Sequence, residues 1–317
     1  MNEPRTTPLL GVDDASLARA VEILRAGGLV VFPTETVYGL GADAASPRAV
    51  AKIYAAKGRP SFNPLIAHVA DLSAARREAR LGAPALRLAE AFWPGPLTLV
   101  APAAPGGSVC ELARAGLASV ALRIPSHPAA LALLRAFDGT LAAPSANISG
   151  HVSPVTAAHV AQDLAGRVDL ILDGGRARAG LESTIVSFLG ETPALLRPGA
   201  IAREEIEAVL GTGLGEARGD VVAPGMTSAH YAPRARLRLD AHGLEPGEAG
   251  LDFGGTLRGE GIVLDLSPSG DLIEAAANLF TYLRELDARG ADRVAVAPIP
   301  SHGLGEAIRD RLRRAAS

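Results

Sequence analysis

The chain has 317 residues, a length that suits about two domains of ordinary size. Hydrophobic residues make up 48% of it and charged residues 21%, a balance that excludes a wholly disordered chain and provides for a core. The net charge of −3 and the 4% aromatic content do not favour a protein built mainly to bind nucleic acid, which relies on cationic surfaces and stacking platforms.

Helices and strands are predicted in turn along the first two thirds of the chain. Asp13-Asp14 can cap a helix whose apolar residues recur at helical spacing until Gly27-Gly28 ends it. Ser46-Pro47 is typical of a second helix start, because serine caps the helix and proline suits its first position. This second helix is expected to end near Lys57-Gly58. Apolar runs further predict helices over 83–92, 128–137 and 202–210, and strands over 29–32, 65–69, 97–101, 119–124, 141–143, 170–172 and 184–188.

A different composition begins at Thr212. From there to about Ala235 the sequence is rich in Gly, Ala and Arg and shows no periodicity, which predicts a linker. Alternating strands and helices then favour a small parallel α/β layer. Its predicted strands cover 261–266 and 293–297, and its predicted helices cover 271–289 and 303–314.

These patterns predict an α/β fold class with two domains. Residues 1–211, with many strands and few helices, are expected to form an α+β unit with a twisted mixed sheet and flanking helices. Residues 212–235 are assigned to the linker. Residues 236–317 are assigned to a C-terminal α/β domain with a parallel, Rossmann-like sheet.

Several features bear on where the protein works. The N-terminal segment has no apolar stretch of the secretory type, and no apolar run approaches the roughly 18–20 residues that span a bilayer. Cys110 is the sole cysteine, which excludes an intrachain disulfide framework and a zinc site of several cysteines. We therefore expect a cytoplasmic protein with no membrane partner.

Five polar loops next to predicted strands are candidates for a binding site. Lys57 and Arg59, one residue apart, can clamp phosphates, and Arg123 at a strand end can hold a carboxylate. Each loop alone also fits a simpler interpretation, as helix-end cations, a surface ion pair or turn chemistry. His68 inside an apolar strand is by itself more typical of a core histidine. The five loops are Pro33 to Gly41, Lys57 to Leu65, Arg123 to Pro128, Pro144 to Gly150, and Leu181 to Thr184 with Arg197 downstream.

Taken together and in order, these loops resemble the YrdC-like threonylcarbamoyl-AMP synthase family. The runs PTETVYGLG, KGRPSFNPL, FWPGPLT, ALRIP, APSANISG, ESTIV and LRPG carry the resemblance from about Gly27 to Gly211. The run APGMTSAHYAP, at 223–233, is similar to the linker of the family's long form, which adds a small C-terminal α/β domain. Over residues 236–317 the resemblance rests on the α/β pattern and its position.

The resemblance implies a nucleotidyltransferase that uses ATP, L-threonine and bicarbonate or CO2. The implied products are threonylcarbamoyl-AMP and pyrophosphate. Threonylcarbamoyl-AMP would then serve N6-threonylcarbamoyladenosine formation in tRNA through a downstream tRNA threonylcarbamoyltransferase complex. Mg2+ is expected to accompany ATP, with no direct protein ligand to the metal. The expected partners also include tRNA or double-stranded RNA.

By the same resemblance, the site residues fall into three sets. Lys57 and Arg59 are expected to be catalytic, within a K-x-R…S-x-N set that Ser145 and Asn147 complete. The residues expected to contact threonine are Thr36, His68, Arg123 and Ser183. The residues expected to contact the nucleotide are Arg59, Asn63, Ser119, Ser145, Asn147, Ser153, Arg197 and Tyr231.

The linker is expected to fold back over the site as a lid that brings Tyr231 to the nucleotide. The family linker usually carries a basic residue after the PGM triplet, whereas this chain has Thr227-Ser228. The chain thus lacks that cation and keeps His230 and Tyr231.

Two other interpretations compete with this one. The first is a non-catalytic double-stranded RNA-binding protein, since some YrdC-like domains present a concave basic surface, but the net charge of −3 weighs against it. The second is the carbamoyl-transfer domain of hydrogenase maturation proteins, which shares the core. Those proteins carry zinc-binding cysteine pairs, and this chain has a single cysteine. A regulatory or interaction role for the C-terminal domain is compatible with the enzyme and stays open.

Overall fold

The computed structural model describes residues 6–216 and 231–317. Two sheets organise these residues: a mixed sheet in the first part of the chain and a parallel sheet in the last part. This arrangement confirms the predicted fold class. Across the described residues, no helix combines the length and the apolar character needed to cross a membrane.

The first sheet has parallel and antiparallel neighbours in the order β1-β8-β2-β3-β7-β4-β6-β5-β9-β10-β11. Because strands distant in sequence become neighbours, loops distant in sequence meet at one edge. The strands are β1 (Leu9–Gly11), β2 (Val30–Phe32), β3 (Gly39–Asp43), β4 (Ile66–His68), β5 (Leu97–Pro102), β6 (Ser119–Arg123), β7 (Leu141–Ala142), β8 (Leu170–Asp173), β9 (Thr184–Ser187), β10 (Ala194–Arg197) and β11 (Gly215–Glu216).

Seven helices accompany this sheet in the described residues. The capping signals work as predicted: Asp13 accepts a hydrogen bond from the backbone N–H of Ser16, Ser46 caps the second helix, and Gly58 ends it with a φ of 60°. The helices are α1 (Asp14–Arg25), α2 (Pro47–Lys57), α3 (Leu72–Glu78), α4 (Ala83–Phe92), α5 (Pro128–Phe137), α6 (Ala157–Leu164) and α7 (Arg203–Leu210).

The second sheet has the order β12-β15-β13-β14, and all its neighbours are parallel. Leu279, Phe280 and Leu283 on one face of α8 are buried, as the helical spacing of apolar residues predicts. The elements are β12 (Arg236–Arg238), β13 (Ala249–Asp252), β14 (Val263–Asp265), β15 (Arg293–Val296), α8 (Leu272–Ala288) and α9 (Leu304–Ala315).

Several short elements were not predicted, and β3 shows why. Its sequence, GLGAD, reads as a glycine-rich loop, yet its first four residues are buried in the sheet. A Cβ at Gly41 would lie 2.7 Å from a ring carbon of Phe32 on the adjacent strand, so close strand packing requires glycine there. The other unpredicted elements are β1, α3, α6, β10, β11, β12 and β13.

The linker prediction falls largely outside the described residues. Residues 217–230, including Thr227-Ser228 and His230, belong to that stretch. β11, at Gly215–Glu216, lies within the predicted linker and pairs with β10 of the first sheet. The lid and the domain boundaries at 211 and 235 stay predictions.

Candidate active site

Residues from widely separated parts of the chain line one cavity of about 550 Å³, a volume that includes its open mouth. Eight of the predicted site residues line it: Thr36, Arg59, His68, Arg123, Ser145, Ser183, Arg197 and Tyr231. All four residues expected to contact threonine are therefore at the same cavity as four of those expected to contact the nucleotide.

The turn between β2 and β3 presents two buried hydroxyl groups. Thr34 Oγ1 donates to the Val37 carbonyl at 2.6 Å and lies 2.9 Å from Thr36 Oγ1, which donates to it. The end of the turn is fixed by Tyr38, whose hydroxyl donates to the Gly175 carbonyl at 2.6 Å. Because these bonds leave little freedom, Thr34 and Thr36 are held at the cavity wall before any ligand arrives.

His68 and Arg123 are neighbours because β4 and β6 are parallel and pair them in register. His68 donates from Nδ1 to the Ile66 carbonyl at 3.3 Å. Burial, and then the positive charge of Arg123, lower the pKa of His68 to about 3. His68 is thus a neutral polar group at neutral pH, and it lies next to the positively charged Arg123.

Arg123 is oriented by a carboxylate outside its own strand. Its Nη2 donates to Glu35 Oε1 at 2.7 Å, and Glu35 Oε2 accepts from the Ser126 backbone N–H at 3.0 Å. The Nε of Arg123 is buried and has no hydrogen-bond partner. A buried donor without a partner is costly, so a ligand acceptor at this point would be favoured.

Lys57 does not line the cavity. Its ammonium lies 2.6 Å from the Ser145 carbonyl, 2.5 Å from the Asn147 carbonyl and 3.3 Å from Asn147 Oδ1. Burial and the charge of Arg59 lower the pKa of Lys57 well below its usual value. Three acceptors around one nitrogen nevertheless require the protonated amine. Lys57 therefore supports the loop that carries Ser145.

Arg59 and Asn63 hold one another in the next loop. Arg59 Nε donates to the Asn63 carbonyl at 3.2 Å, and Nη2 donates to the Pro64 carbonyl at 3.0 Å. Burial lowers the pKa of Arg59 to about 10, so it stays charged at neutral pH. Asn63 does not line the cavity, but its Oδ1 is buried and without a hydrogen-bond partner.

Ser183 and Arg197 meet where β9 and β10 pair. Arg197 Nη2 donates to the Ser183 carbonyl at 2.9 Å and to Ser183 Oγ at 3.1 Å, while Thr98 Oγ1 lies 2.7 Å from the same hydroxyl. Gly199 packs against this corner: a Cβ there would lie 2.4 Å from the Ser183 carbonyl carbon. The close approach requires glycine at 199.

Glu182 is a buried carboxylate in the cavity wall. Its Oε1 accepts from Ser153 Oγ at 2.5 Å, and its Oε2 accepts from Arg311 Nε of α9 at 2.9 Å. Burial opposes its ionisation, but the charges of Arg311 and Arg197 and the Ser153 hydroxyl outweigh burial and lower the pKa of Glu182 to about 2. Glu182 is ionised at neutral pH.

Three further predicted residues are buried and lie outside the cavity lining. Asn147 is buried, accepts from Ser145 Oγ at 2.6 Å and is held by Lys57. Ser153 is buried against Glu182, and Ser119 is buried at the start of β6, opposite Pro102. Like Lys57 and Asn63, these three do not line the cavity.

Sequence reasoning missed the partners of the site residues. Glu35 lies in the PTETVYGLG run and Glu182 in the ESTIV run. Their place in these runs could have marked them as site residues, but neither was assigned a role. Thr34 at the cavity wall was missed in the same way. Arg311 had no local signal, because it lies in the last helix among other arginines.

In the described residues, no group of three or more His, Cys, Asp or Glu side chains is arranged to hold a metal ion. The two carboxylates at this site, Glu35 and Glu182, are each paired with an arginine. The cavity wall instead offers guanidinium and hydroxyl groups, which suit a ligand with carboxylate or phosphate groups.

Two family models together match most of the chain. Residues 22–199 match the model for Sua5, YciO and YrdC proteins, described as "Telomere recombination". Residues 201–317 match the model described as "Threonylcarbamoyl-AMP synthase, C-terminal domain".

Curated relatives named threonylcarbamoyl-AMP synthase match nearly the whole length of the chain. The chain is 43% identical to one from Bacillus subtilis, with 98% of this chain and 95% of the relative covered. It is 40% identical to one from Pyrococcus abyssi, with 96% of this chain and 95% of the relative covered.

Solved structures show the same likeness. The crystal structure of P. abyssi Sua5 complexed with L-threonine superposes with a TM-score of 0.89 at 38% identity, covering 98% of this chain and 97% of that one. E. coli YciO superposes with a TM-score of 0.54 at 25% identity, covering 63% of this chain and 96% of that one.

Substituting Gly199 tests the close packing at the β9–β10 corner. In Gly199→Ala the new Cβ would lie 2.5 Å from the Glu182 carbonyl oxygen, and we expect the free energy of unfolding to fall by about 1–3 kcal/mol. Gly190→Ala is the control, since its Cβ would meet no atom nearer than 3.9 Å. Denaturant unfolding measures both, and equal stabilities would contradict the packing argument.

Substituting His68 tests its neutral state. The pKa of His68 is lowered from 6.5 to about 3, so below pH 6.5 the unfolded chain binds a proton that the folded protein does not. Through this residue, the free energy of unfolding should fall by about 1 kcal/mol as the pH decreases from about 6 to about 5. His68→Gln should lose that component.

Denaturant unfolding of both proteins across this pH range measures the difference. His159, whose pKa burial lowers to about 4, titrates in both proteins and cancels. Equal slopes in the two proteins would show that His68 does not remain neutral in the fold.

Proposed function

The chain belongs to the threonylcarbamoyl-AMP synthase family, and from this premise we infer that its cavity forms threonylcarbamoyl-AMP from L-threonine, bicarbonate or CO2 and ATP. The resemblance found in the sequence is thereby confirmed. The proposal classes the protein as a nucleotidyltransferase that releases pyrophosphate. A non-catalytic double-stranded RNA-binding role is not favoured, because the full-length relatives are synthases.

The proposal that the threonine carboxylate binds at Arg123 rests on the Nε of this side chain. This donor is buried, belongs to a side chain that lines the cavity and has no partner. A substrate carboxylate would supply the missing acceptor, while Glu35 holds the guanidinium from its other side. Neutral His68 and the hydroxyls of Thr36 and Ser183 would then surround the rest of a small polar amino acid.

The proposed chemistry needs positioning rather than a protein nucleophile. The amine of threonine captures CO2 and loses a proton, which gives a carbamate. A carbamate oxygen then attacks the α-phosphorus of ATP, and the bond to pyrophosphate breaks. A carbamate is short-lived in water, so a largely buried cavity that already holds its polar groups in place suits this reaction.

Arg59, Arg197 and Ser145 are proposed to meet the phosphates of ATP. Each lines the cavity, and both guanidinium groups are oriented by backbone carbonyls. Fixed cations stabilise the charge that develops on the phosphates without reorganising during the reaction. Asn63 does not line the cavity, so its proposed part in nucleotide binding is to hold Arg59, whose Nε donates to the Asn63 carbonyl.

Mg2+ is proposed as the counter-ion of ATP. Glu35 and Glu182 are already paired with arginines, so the phosphate oxygens rather than these carboxylates would hold the ion. When bound with ATP, Mg2+ spreads the negative charge of the departing pyrophosphate.

The product is a mixed anhydride of a carbamate and AMP, and such a group transfers readily to an amine. We propose that a tRNA threonylcarbamoyltransferase complex consumes it to form N6-threonylcarbamoyladenosine in tRNA. We further propose that the protein works in the cytoplasm, where tRNA, ATP and threonine occur together.

Pyrophosphate release tests the proposed reaction. Purified protein with ATP and Mg2+ should release pyrophosphate only when both threonine and bicarbonate are added. Each component is omitted in turn, and the nucleotide product is identified by mass. Release that is indifferent to threonine would contradict the proposed function.

Substituting Arg123 tests the carboxylate site. Arg123→Lys keeps the charge but loses the planar fork, so we expect KM for threonine to rise by about 10–100-fold while KM for ATP changes by less than about threefold. Arg135→Lys, at an exposed position on α5, is the matched control. Equal KM values for threonine in Arg123→Lys and the control would argue against the assignment.

Substituting Lys57 tests its support of the loop that carries Ser145. Lys57→Met removes the donor to the Ser145 and Asn147 carbonyls and one of the two donors to Asn147 Oδ1, and we expect the free energy of unfolding to fall by about 1–3 kcal/mol. We also expect kcat to fall by about tenfold or more, because Ser145 is no longer held. Lys52→Met, on the same helix but exposed, is the control. Wild-type turnover in Lys57→Met would overturn this role.

A further inference from the structure

The C-terminal domain reaches the wall of the cavity through Arg311, on the last helix, α9. The side chain of Arg311 is fully buried. Its Nε donates to Glu182 Oε2 at 2.9 Å, and its Nη1 donates to the Pro198 carbonyl at 2.9 Å. Arg311 therefore touches both of the segments, ESTIV and LRPG, that meet at the β9–β10 corner.

Arg311 also supports Tyr231, the first described residue after residues 217–230. Its guanidinium carbon lies 5.1 Å from the centre of the Tyr231 ring, and the same ring stacks on Phe280 of α8 at 5.7 Å. Tyr231 lines the cavity. Two elements of the C-terminal domain thus fix the position of a cavity residue.

Glu182 needs this arginine for its own geometry. The carboxylate lines the cavity next to Ser183, so a change in its rotamer would change the shape and charge of the cavity wall. Arg197 is the other nearby cation, but its Nε and Nη2 donate to the Ser183 carbonyl, and Nη2 also donates to the Ser183 hydroxyl. Arg311 makes the ion pair with Glu182.

We propose that Arg311 is a positioning residue for the reaction, which sets Glu182 and Tyr231 at the cavity and makes the active site depend on the docked C-terminal domain. The inference deepens the proposed function and rests on it. Arg311 does not line the cavity and touches no reacting group, so its effect is transmitted through the two residues that do line it.

A second contact between the domains provides a comparison. Arg203 of α7 pairs with Glu306 of α9 at 2.7 Å, on the same helix as Arg311. Both of its side chains are partly exposed, and neither lines the cavity. A contact that merely docks α9 would behave like this pair, whereas a positioning contact would change catalysis.

The experiment compares Arg311→Gln with Glu306→Gln. We expect Arg311→Gln to lower kcat/KM by about tenfold or more, since it leaves Glu182 buried without its partner, with kcat affected as well as KM. Glu306→Gln should stay within about twofold of the wild type, because this partly exposed pair contacts no residue that lines the cavity. Circular dichroism and thermal unfolding establish that both variants are folded. Equal kcat and KM values in the two folded variants would overturn the proposal.

The pH profile of activity gives a readout that a purely structural role would not move. Glu182 faces Arg311 of α9, Arg197 of β10, Ser153 and Tyr231, while Asp310 of α9 is paired with Arg311. Without Arg311, burial should raise the pKa of Glu182, and activity should acquire a new acidic limb. Adding Glu182→Gln to Arg311→Gln should remove that acidic limb. If the limb persists in the double variant, the loss of activity at low pH does not come from Glu182, and the proposed action of Arg311 through Glu182 is contradicted.

Two further comparisons keep the test decisive. If Arg311→Gln does not fold, Arg311→Lys replaces it. The lysine amine keeps the ion pair with Glu182 but cannot also reach the Pro198 carbonyl and lie flat on the Tyr231 ring. We therefore expect a partial loss of kcat/KM, and full activity would overturn the proposal.

Wild-type pyrophosphate release tests the proposed function separately. If the wild type releases none, the rise in Tm with ATP is compared between Arg311→Gln and Glu306→Gln, and equal rises would overturn the positioning role.

Discussion

Cations taken out of water and held by oxygen atoms of the chain give the candidate site its shape. A desolvated positive charge is tolerated only where oxygen atoms replace the lost water, so each cation fixes the segments that supply those atoms. Lys57 fixes the 145–147 loop, Arg59 the 63–64 segment, and Arg197 the corner at Ser183. Arg123 is fixed in turn by Glu35, and Arg311 fixes Glu182.

The buried cations fall into two groups according to whether they line the cavity. Arg59, Arg123 and Arg197 line the cavity and can meet an anionic ligand. Lys57 and Arg311 lie behind the wall and act on residues that line it. Electrostatic catalysis depends on groups that do not reorganise when charge develops. The buried ion pairs and hydrogen bonds of Lys57 and Arg311 provide that rigidity, because they hold the residues that line the cavity in place.

The buried contacts of Arg311 also join the two domains. The ion pair between Arg311 and Glu182 crosses from the last helix to the ESTIV segment, and Tyr231 is stacked on α8 while it lines the cavity. The C-terminal domain is thus part of the construction of the site. Since the linker residues 217–230 stand between the two sheets in sequence, the site draws on chain segments from both sides of that linker.

Local sequence signals were sufficient for the longer elements, and the family resemblance was needed to assign most of the cavity wall. Helix α4 and helix α5 were predicted with the bounds that the structure has, because proline starts and apolar spacing act locally. Short elements such as β3 were missed, because their stability comes from neighbouring strands. The residue type and position of Arg123 pointed to a carboxylate site, whereas Thr36 and Ser183 were assigned through the family resemblance.

The sequence by itself therefore determined the family, the fold class and the polar loops that meet at the cavity. Only the tertiary structure decided which of these residues line it: Arg59 and Ser145 do, whereas Lys57, Asn63 and Asn147 do not. It also decided the partners Glu35 and Arg311. The physical reason is that ion pairs between buried groups join positions far apart in the chain, and their pairing depends on how strands and domains pack rather than on any local pattern.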